Sequence, residues 1–150
     1  DEIEARNLYA QHYAPVQEVG FITRDFGGFL IGYSPDGLVG DDGLLECKSR
    51  RQKYQVQTIV SGEMPDDYLM QVQTGLLVTG RKWLDFVSYS GGLPMCPIRV
   101  YPDAALHTAI VDAAAAFETR LGVARSKYAA AVAKHRLIPT ERRIEQEMVI

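Results

Sequence analysis

The order of apolar and polar positions predicts helices at both ends of the chain and strands between them. Apolar residues recur at helical spacing over residues 1–13, 67–79 and 103–134, and a shorter helix fits residues 54–61. Alternating segments that are bounded by Gly, Pro and Asp predict strands. These strands cover residues 16–25, 29–33, 44–48, 83–89 and 95–101. The pattern predicts an α/β (α+β) fold in which helices flank a β-sheet.

A Ser-Pro-Asp-Gly turn at residues 34–37 precedes the strand that carries the most chemistry. Its proline and glycine are turn formers, which would fix Asp36 at the end of a strand. In the strand over residues 44–48, Glu46 and Lys48 are two apart and point to one face, whereas Cys47 points to the other. A hairpin would bring Asp36 beside Glu46. Two carboxylates and an ammonium group on one small patch indicate a site for a cation or an anionic substrate.

Composition narrows the classes of protein that fit. A chain of 150 residues with 47% hydrophobic and 23% charged residues is typical of one soluble domain. No apolar run reaches the roughly 18 residues of a membrane span, and no signal peptide is visible. Cys47 and Cys96 do not form a disulfide framework, which favours the cytoplasm.

Two features bear on nucleic acid binding and on the extent of the domain. The net charge is −3, so binding to phosphates would depend on local clusters of cations rather than on the overall charge. The chain begins at Asp1, inside a helical pattern and without methionine. We therefore expect residues 1–150 to be a single domain that lacks an upstream N-terminal portion.

The motif formed by Asp36, Glu46 and Lys48 resembles that of the PD-(D/E)xK nuclease superfamily. The longer run SPDGL…GLLECKS resembles the phage alkaline exonucleases of the lambda-exonuclease/YqaJ-type recombinase family. The resemblance implies a restriction-endonuclease-like core, in which helices flank a central mixed β-sheet, followed by a long C-terminal helix. It also implies that Asp36, Glu46 and Lys48 are catalytic.

The resemblance adds a glutamate and a glutamine to the candidate catalytic residues. Glu2 stands in a Glu-x-x-Ala-Arg context and takes the family's position, and Glu4 lies about 200° from it around the helix, so both cannot face one site. Gln71 takes the first place of a Gln-x-Gln pair with Gln73, and the same angle separates these two. The alternatives are a solvated first-turn acid for Glu2 and a helix-packing role for Gln71.

The acidic residues of the candidate site suit hard divalent cations. Carboxylate oxygens favour Mg²⁺, for which Mn²⁺ substitutes, and one or two ions would bind. Glu2, Asp36 and Glu46 are the candidate ligands, and the resemblance adds the backbone carbonyl of Cys47. Lys48 would orient the attacking water or stabilise charge on the phosphate. The three histidines are scattered without ligand spacing, which argues against zinc.

A group of polar and basic residues beside this motif is a candidate surface for DNA. Arg50, Arg51 and Lys53 follow the Glu-x-Lys strand directly, and Ser34 opens the turn before Asp36. Guanidinium and ammonium groups at this position suit a phosphate backbone. The alternative for the cations is a charged helix start on the surface.

The resemblance implies an exonuclease that degrades one strand of linear double-stranded DNA from 5′ to 3′ and leaves 3′ overhangs for phage-type recombination. It also implies a homotrimer that works with a single-strand annealing protein. Another PD-(D/E)xK nuclease, either an endonuclease or a RecB-type repair nuclease, stays an alternative. A non-catalytic DNA-binding module with the same fold is the alternative outside enzymes.

Overall fold

The structure is a computed structural model that describes residues 1–141. Its helices are α1 (Glu2–His12), α2 (Gln52–Ser61), α3 (Leu69–Thr79) and α4 (Ala104–Lys134), and a short 3-10 turn covers Asp66–Tyr68. Its strands are β1 (Val16–Gln17), β2 (Ile22–Asp25), β3 (Leu30–Tyr33), β4 (Gly37–Val39), β5 (Gly43–Ser49), β6 (Trp83–Tyr89) and β7 (Cys96–Val100). The chain divides into two compact units, of which the first covers residues 1–115 and the second begins at Ala116. The candidate site residues therefore all belong to the first unit.

Five strands form one mixed sheet in the order β1-β4-β5-β6-β7. β5 and β6 are parallel, and the other neighbours are antiparallel. A parallel pair requires a long crossover connection, which α2 and α3 supply here. The mixed sheet, the flanking helices and the long C-terminal helix confirm the predicted fold class. None of the helices within residues 1–141 is long and apolar enough to cross a membrane.

The two faces of the sheet are covered by different helices. The buried cluster on the α1 face consists of Ala5, Tyr9, Val39, Leu45, Cys47, Val87 and Tyr89. The buried cluster on the α3 face consists of Tyr33, Leu44, Val72, Leu76, Val78, Leu84 and Phe86. Because side chains alternate along β5, Cys47 points towards α1, whereas Glu46 and Lys48 point towards α3. The predicted opposition of Cys47 to the Glu-x-Lys pair is confirmed.

The segment predicted as one strand over residues 16–25 is two strands in different sheets, so this prediction is wrong. β1 pairs with β4, whereas β2 pairs with β3 in a separate hairpin. β1 ends at Gln17, which pairs with Leu38, and residues 18–21, which include Gly20, belong to neither sheet. A turn with two glycines joins β2 and β3. Gly27 and Gly28 have φ of 86° and 117°, and their N–H groups donate to the Asp25 carboxylate.

Gly75 of α3 lies against the buried ring of Tyr33, and this close contact predicts a stability effect. A Cβ at Gly75 would lie 2.6 Å from the ring carbon Cζ. Alanine is favoured over glycine inside a helix by roughly 1 kcal/mol, but overpacking a core costs about 1–3 kcal/mol. We expect Gly75→Ala to lower the free energy of unfolding in a urea titration. Gly122→Ala is the control, because a Cβ there meets nothing within 4 Å, and equal effects at both positions would contradict the prediction.

Candidate active site

Asp36 directly precedes β4. Its hydrogen bonds continue the pairing of β4 with β5 by one residue. Its Oδ2 accepts a 2.6 Å hydrogen bond from the Cys47 N–H, and its own N–H donates to the Leu45 carbonyl oxygen at 3.1 Å. The N–H and C=O of one strand residue point to the same side of the strand. The Cys47 carbonyl oxygen is therefore directed to the side on which Asp36 lies.

Glu46 is buried on the α3 face, where three side chains hold both of its oxygens. Its side chain is 3% exposed. Oε1 lies 2.5 Å from the Lys48 Nζ and accepts a 2.5 Å hydrogen bond from the Gln71 Nε2. Oε2 accepts a hydrogen bond from the Tyr33 hydroxyl. The structure thus brings Glu46, Lys48 and Gln71 together, whereas Gln73 binds the Tyr101 carbonyl oxygen and the Asp103 N–H elsewhere.

Burial dominates the titration of the candidate acids. It raises the pKa of Asp36, which the Cys47 N–H and Lys48 lower and the charge of Glu2 raises further. Burial also raises the pKa of Glu46, against the hydrogen bonds from Lys48 and Tyr33. Burial opposes protonation of Lys48, yet its contact with Glu46 and the nearby Asp36 raise its pKa. The site therefore holds negative charge that the protein compensates only in part.

The charge of Glu2 reaches the candidate site, whereas that of Glu4 acts on Tyr89. The charge of Glu2 acts on Asp36, Cys47 and Lys48. The Glu4 carboxylate instead acts on the phenol of Tyr89, whose pKa is raised by burial and by this carboxylate. The predicted 200° separation on α1 accounts for this division.

The raised pKa of Asp36 predicts a pH-dependent stability effect. A carboxyl with a raised pKa in the folded state binds more protons there than in the unfolded chain, so stability falls as pH rises above the unfolded value. We expect Asp36→Asn to melt at a higher temperature than the parent protein at pH 7, and we expect this gain to vanish near pH 3.5. The amide oxygen of asparagine can still accept the Cys47 N–H.

Asp25→Asn is a control of opposite sign for the same thermal melts. Bonds from the N–H groups of Gly28 and Gly27 lower the pKa of Asp25. Its stabilisation is present above the unfolded pKa and is lost as pH falls through the folded one. Asp25→Asn should therefore lower the melting temperature at pH 7 and not at low pH. A lower melting temperature for Asp36→Asn at pH 7 would contradict the prediction that the ionised Asp36 carboxylate destabilises the folded state.

The donor set of the site fits a hard divalent cation. Within residues 1–141 no three Asp, Glu, His or Cys side chains are close enough to form a ready-made metal cage. Mg²⁺ does not require one, since it binds through one or two carboxylates together with waters and substrate phosphates. The ammonium of Lys48 takes the place of a cation beside Glu46, at 2.5 Å from Oε1. Asp36, Glu46 and the Cys47 carbonyl supply oxygen donors of the right class.

The predicted DNA-binding residues occupy different environments. Ser34, Arg51 and Lys53 are exposed. Arg51 is the N-cap residue of α2, which begins at Gln52. Arg50 is half-buried, and its guanidinium lies over two tyrosine rings. The three cations therefore do not form one exposed charged helix start, because Arg50 packs against tyrosine rings whereas Arg51 and Lys53 are exposed.

Sequence reasoning missed two residues that contact the site. Tyr33 binds Glu46, and the signal for it was its position as the last strand residue before the Ser-Pro-Asp-Gly turn. Arg6 donates to the Asp36 carbonyl oxygen at 3.4 Å and pairs with Glu18 at 2.9 Å. Arg6 follows Glu2 by four residues, which places both on one side of α1. Cys47 is buried, and burial raises the pKa of its thiol to about 12.

A mixed sheet with an aspartate at the entry to a central hairpin and Glu-x-Lys on the next strand is the core of the PD-(D/E)xK superfamily, so the predicted class is confirmed. The model of the YqaJ-like viral recombinase domain matches residues 2–82. The chain belongs to this family. No curated protein matches it.

Solved structures agree with this assignment. The alkaline exonuclease LHK-Exo from Laribacter hongkongensis is 36% identical, with a TM-score of 0.81 over 89% of this chain and 71% of that chain. The structure of LHK-Exo in complex with dAMP matches at the same identity and TM-score, over 89% of this chain and 70% of that chain. SSO0001 shares the fold alone, at 14% identity and a TM-score of 0.57 over 75% of this chain and 54% of that chain.

Proposed function

We propose that the chain is a metal-dependent exonuclease that hydrolyses phosphodiester bonds of linear double-stranded DNA. The observation that carries the proposal is the Asp36 carboxylate bound to the Cys47 N–H beside the buried Glu46–Lys48 pair. Membership of the YqaJ-like family and the 36% identity to an alkaline exonuclease support the same chemistry. Mg²⁺ is the proposed cofactor, as one or two ions, and Mn²⁺ substitutes for it.

Each proposed catalytic residue has a role that its contacts support. Glu2, Asp36, Glu46 and the Cys47 carbonyl would hold the metal, which polarises the phosphoryl oxygen and makes a bound water more acidic. The Cys47 N–H fixes the orientation of Asp36, and Gln71 fixes that of Glu46.

Lys48 carries the charge that the phosphate requires. Its raised pKa keeps it protonated at neutral and alkaline pH. A protonated amine on a flexible stem can orient the attacking water or stabilise charge that develops on the phosphate. In this structure the amine is bound to Glu46.

Several finer properties are proposed from the family resemblance. The strand is degraded from 5′ to 3′ and leaves a single-stranded 3′ overhang for recombination. Ser34, Arg50, Arg51 and Lys53 contact the DNA. The enzyme acts in the cytoplasm as a homotrimer, together with a single-strand annealing protein.

One plasmid in two forms tests the proposal. We expect the linear duplex to be degraded in Mg²⁺ and the covalently closed circle to persist. Glu46→Gln prepared in parallel controls for contaminating nuclease. Labels on the 5′ and 3′ ends of the linear form report polarity in the same reaction. Cleavage of the closed circle at a similar rate would favour the endonuclease alternative, and no cleavage of either form would favour the non-catalytic module.

A further inference from the structure

The hydroxyl of Tyr33 donates a hydrogen bond to Oε2 of the buried Glu46 and has no role in the chemistry above. Tyr33 is 5% exposed and belongs to the apolar cluster on the α3 face. Oε1 of the same carboxylate instead meets the Lys48 amine and the Gln71 amide. The two oxygens of Glu46 therefore have different partners, one from the core and the others from the candidate site.

Oε1 of Glu46 is the oxygen on the side of the other acids. The Lys48 Nζ lies 2.5 Å from it, and the charges of Asp36 and Glu2 also act on this amine. An ammonium on a flexible stem can move away, whereas the phenol of Tyr33 is held in a close-packed cluster. When Lys48 moves to a phosphate, Oε1 is therefore the oxygen that becomes free for a cation.

Helix α3 fixes the position of the Tyr33 ring as well as that of Glu46. A Cβ at Gly75 would lie 2.6 Å from Cζ of Tyr33, the ring carbon that bears the hydroxyl. Gln71 precedes Gly75 by four residues, so both lie on one face of the helix. Gln71 thus binds Glu46 directly, and Gly75 leaves the space in which the phenol reaches the same carboxylate.

Tyr33 also ties Glu46 to the segment that carries Asp36. It is the last residue of β3 and stands three residues before Asp36. Asp36 in turn accepts the N–H of Cys47, the residue after Glu46. Residues 33–36 therefore bind two consecutive residues of β5, which sets the carboxylates of Asp36 and Glu46 relative to each other.

We propose that Tyr33 is a positioning residue of the metal site: by holding Oε2 of Glu46, it keeps Oε1 directed to the cation that Glu46 shares with Asp36. The proposal rests on the proposed function, since it takes a divalent cation to bind Glu46. Groups that orient a metal ligand typically cost about 10–100-fold in metal affinity or activity when they are removed.

Calorimetric titration of the whole chain with Mn²⁺ measures the role of Tyr33 without DNA or catalysis. Tyr33→Phe keeps the ring against Gly75 and removes only the hydroxyl, and we expect it to raise the Mn²⁺ dissociation constant by about tenfold or more. Tyr9→Phe is the matched control, because the Tyr9 hydroxyl is buried and donates at 2.6 Å to Asp85, a buried carboxylate outside the candidate site. Asp85 keeps its ion pair with Arg99 at 2.8 Å, so this control should change the dissociation constant by less than about twofold.

Two further measurements separate positioning from damage to the fold. Tyr33→Phe and Tyr9→Phe each lose a buried hydrogen bond, so both should melt at a lower temperature in EDTA. A loss of stability that both variants share cannot explain weaker Mn²⁺ binding in Tyr33→Phe alone. Glu46→Gln identifies the ion that the titration reports, and it should weaken Mn²⁺ binding at least as much as Tyr33→Phe does.

An unchanged Mn²⁺ dissociation constant in Tyr33→Phe, an equal rise in Tyr9→Phe, or no Mn²⁺ binding by the parent chain would overturn this role of Tyr33. A smaller loss in Glu46→Gln than in Tyr33→Phe would overturn it as well, since the measured ion would then not be held by Glu46. If the parent degrades DNA in Mg²⁺ but Tyr33→Phe binds Mn²⁺ as the parent does, the proposed function stands and only this inference fails. If Tyr33→Phe weakens Mn²⁺ binding but the parent degrades no DNA, the proposed function fails instead.

Discussion

Nuclease activity is expected to fall by at least about 100-fold when Lys48 is replaced by Ala or Glu46 by Gln. Removing a single charged group that acts mainly in the transition state typically costs this much in kcat. Lys48 loses the amine that meets the phosphate, and Glu46 loses a proposed metal ligand whose oxygens contact Lys48, Gln71 and Tyr33. Initial rates on linear duplex DNA in saturating Mg²⁺ measure the effect.

An exposed ion pair in the same unit provides the matched control. Lys82 and Asp42 pair at 2.9 Å, with side chains that are 73% and 48% exposed. Lys82→Ala and Asp42→Asn should leave the rate within about twofold, since surface pairs contribute only about 0–1 kcal/mol. Full activity in both Lys48→Ala and Glu46→Gln would end the catalytic assignment.

The two glutamates of α1 should differ in their effect on metal use. Glu2→Gln is expected to raise the Mg²⁺ concentration for half-maximal activity by about tenfold or more, which is the usual range when a group that supports a metal site is lost. Glu4→Gln should change it by less than about twofold, because the charge of Glu4 acts on Tyr89 rather than on Asp36. Titrations of Mg²⁺ at fixed DNA concentration measure both variants.

This pair of variants has its own control for folding. Glu4→Gln removes a contact with a buried tyrosine, so thermal melts should accompany the kinetics. A shift in Mg²⁺ dependence for Glu4→Gln, with none for Glu2→Gln, would indicate that Glu4 rather than Glu2 supports the metal site. Equal shifts would indicate a general effect of charge rather than a ligand.

Local patterns in the sequence were sufficient to predict how Asp36, Glu46 and Lys48 are arranged. Proline and glycine around Asp36 dictate a turn, and the two-residue period of a strand puts Glu46 and Lys48 on one face. The angle per residue of a helix separated Glu2 from Glu4 and Gln71 from Gln73. These inferences depend on neighbours in sequence, where chain geometry alone fixes direction.

Such local patterns do not predict contacts between segments that are far apart in the sequence. Tyr33 meets Glu46 only because β3 passes over the α3 face, where Gly75 leaves room for the ring. The division of residues 16–25 into β1 and β2 depends on their separate partners, β4 and β3, which no property of residues 16–25 reveals. A cleft of about 670 Å³ beside Tyr68 is lined by α2 together with residues 49–51 and 63–68, and its aromatic and acidic residues have no shared sequence signal.

Anomalous diffraction from crystals soaked in Mn²⁺ tests the central claim most directly. We predict a peak that shares carboxylate oxygens of Asp36 and Glu46 and lies beside the Cys47 carbonyl oxygen, with Lys48 released from Glu46. Asp36 and Glu46 facing apart, with no anomalous density between them in a fully soaked crystal, would contradict it.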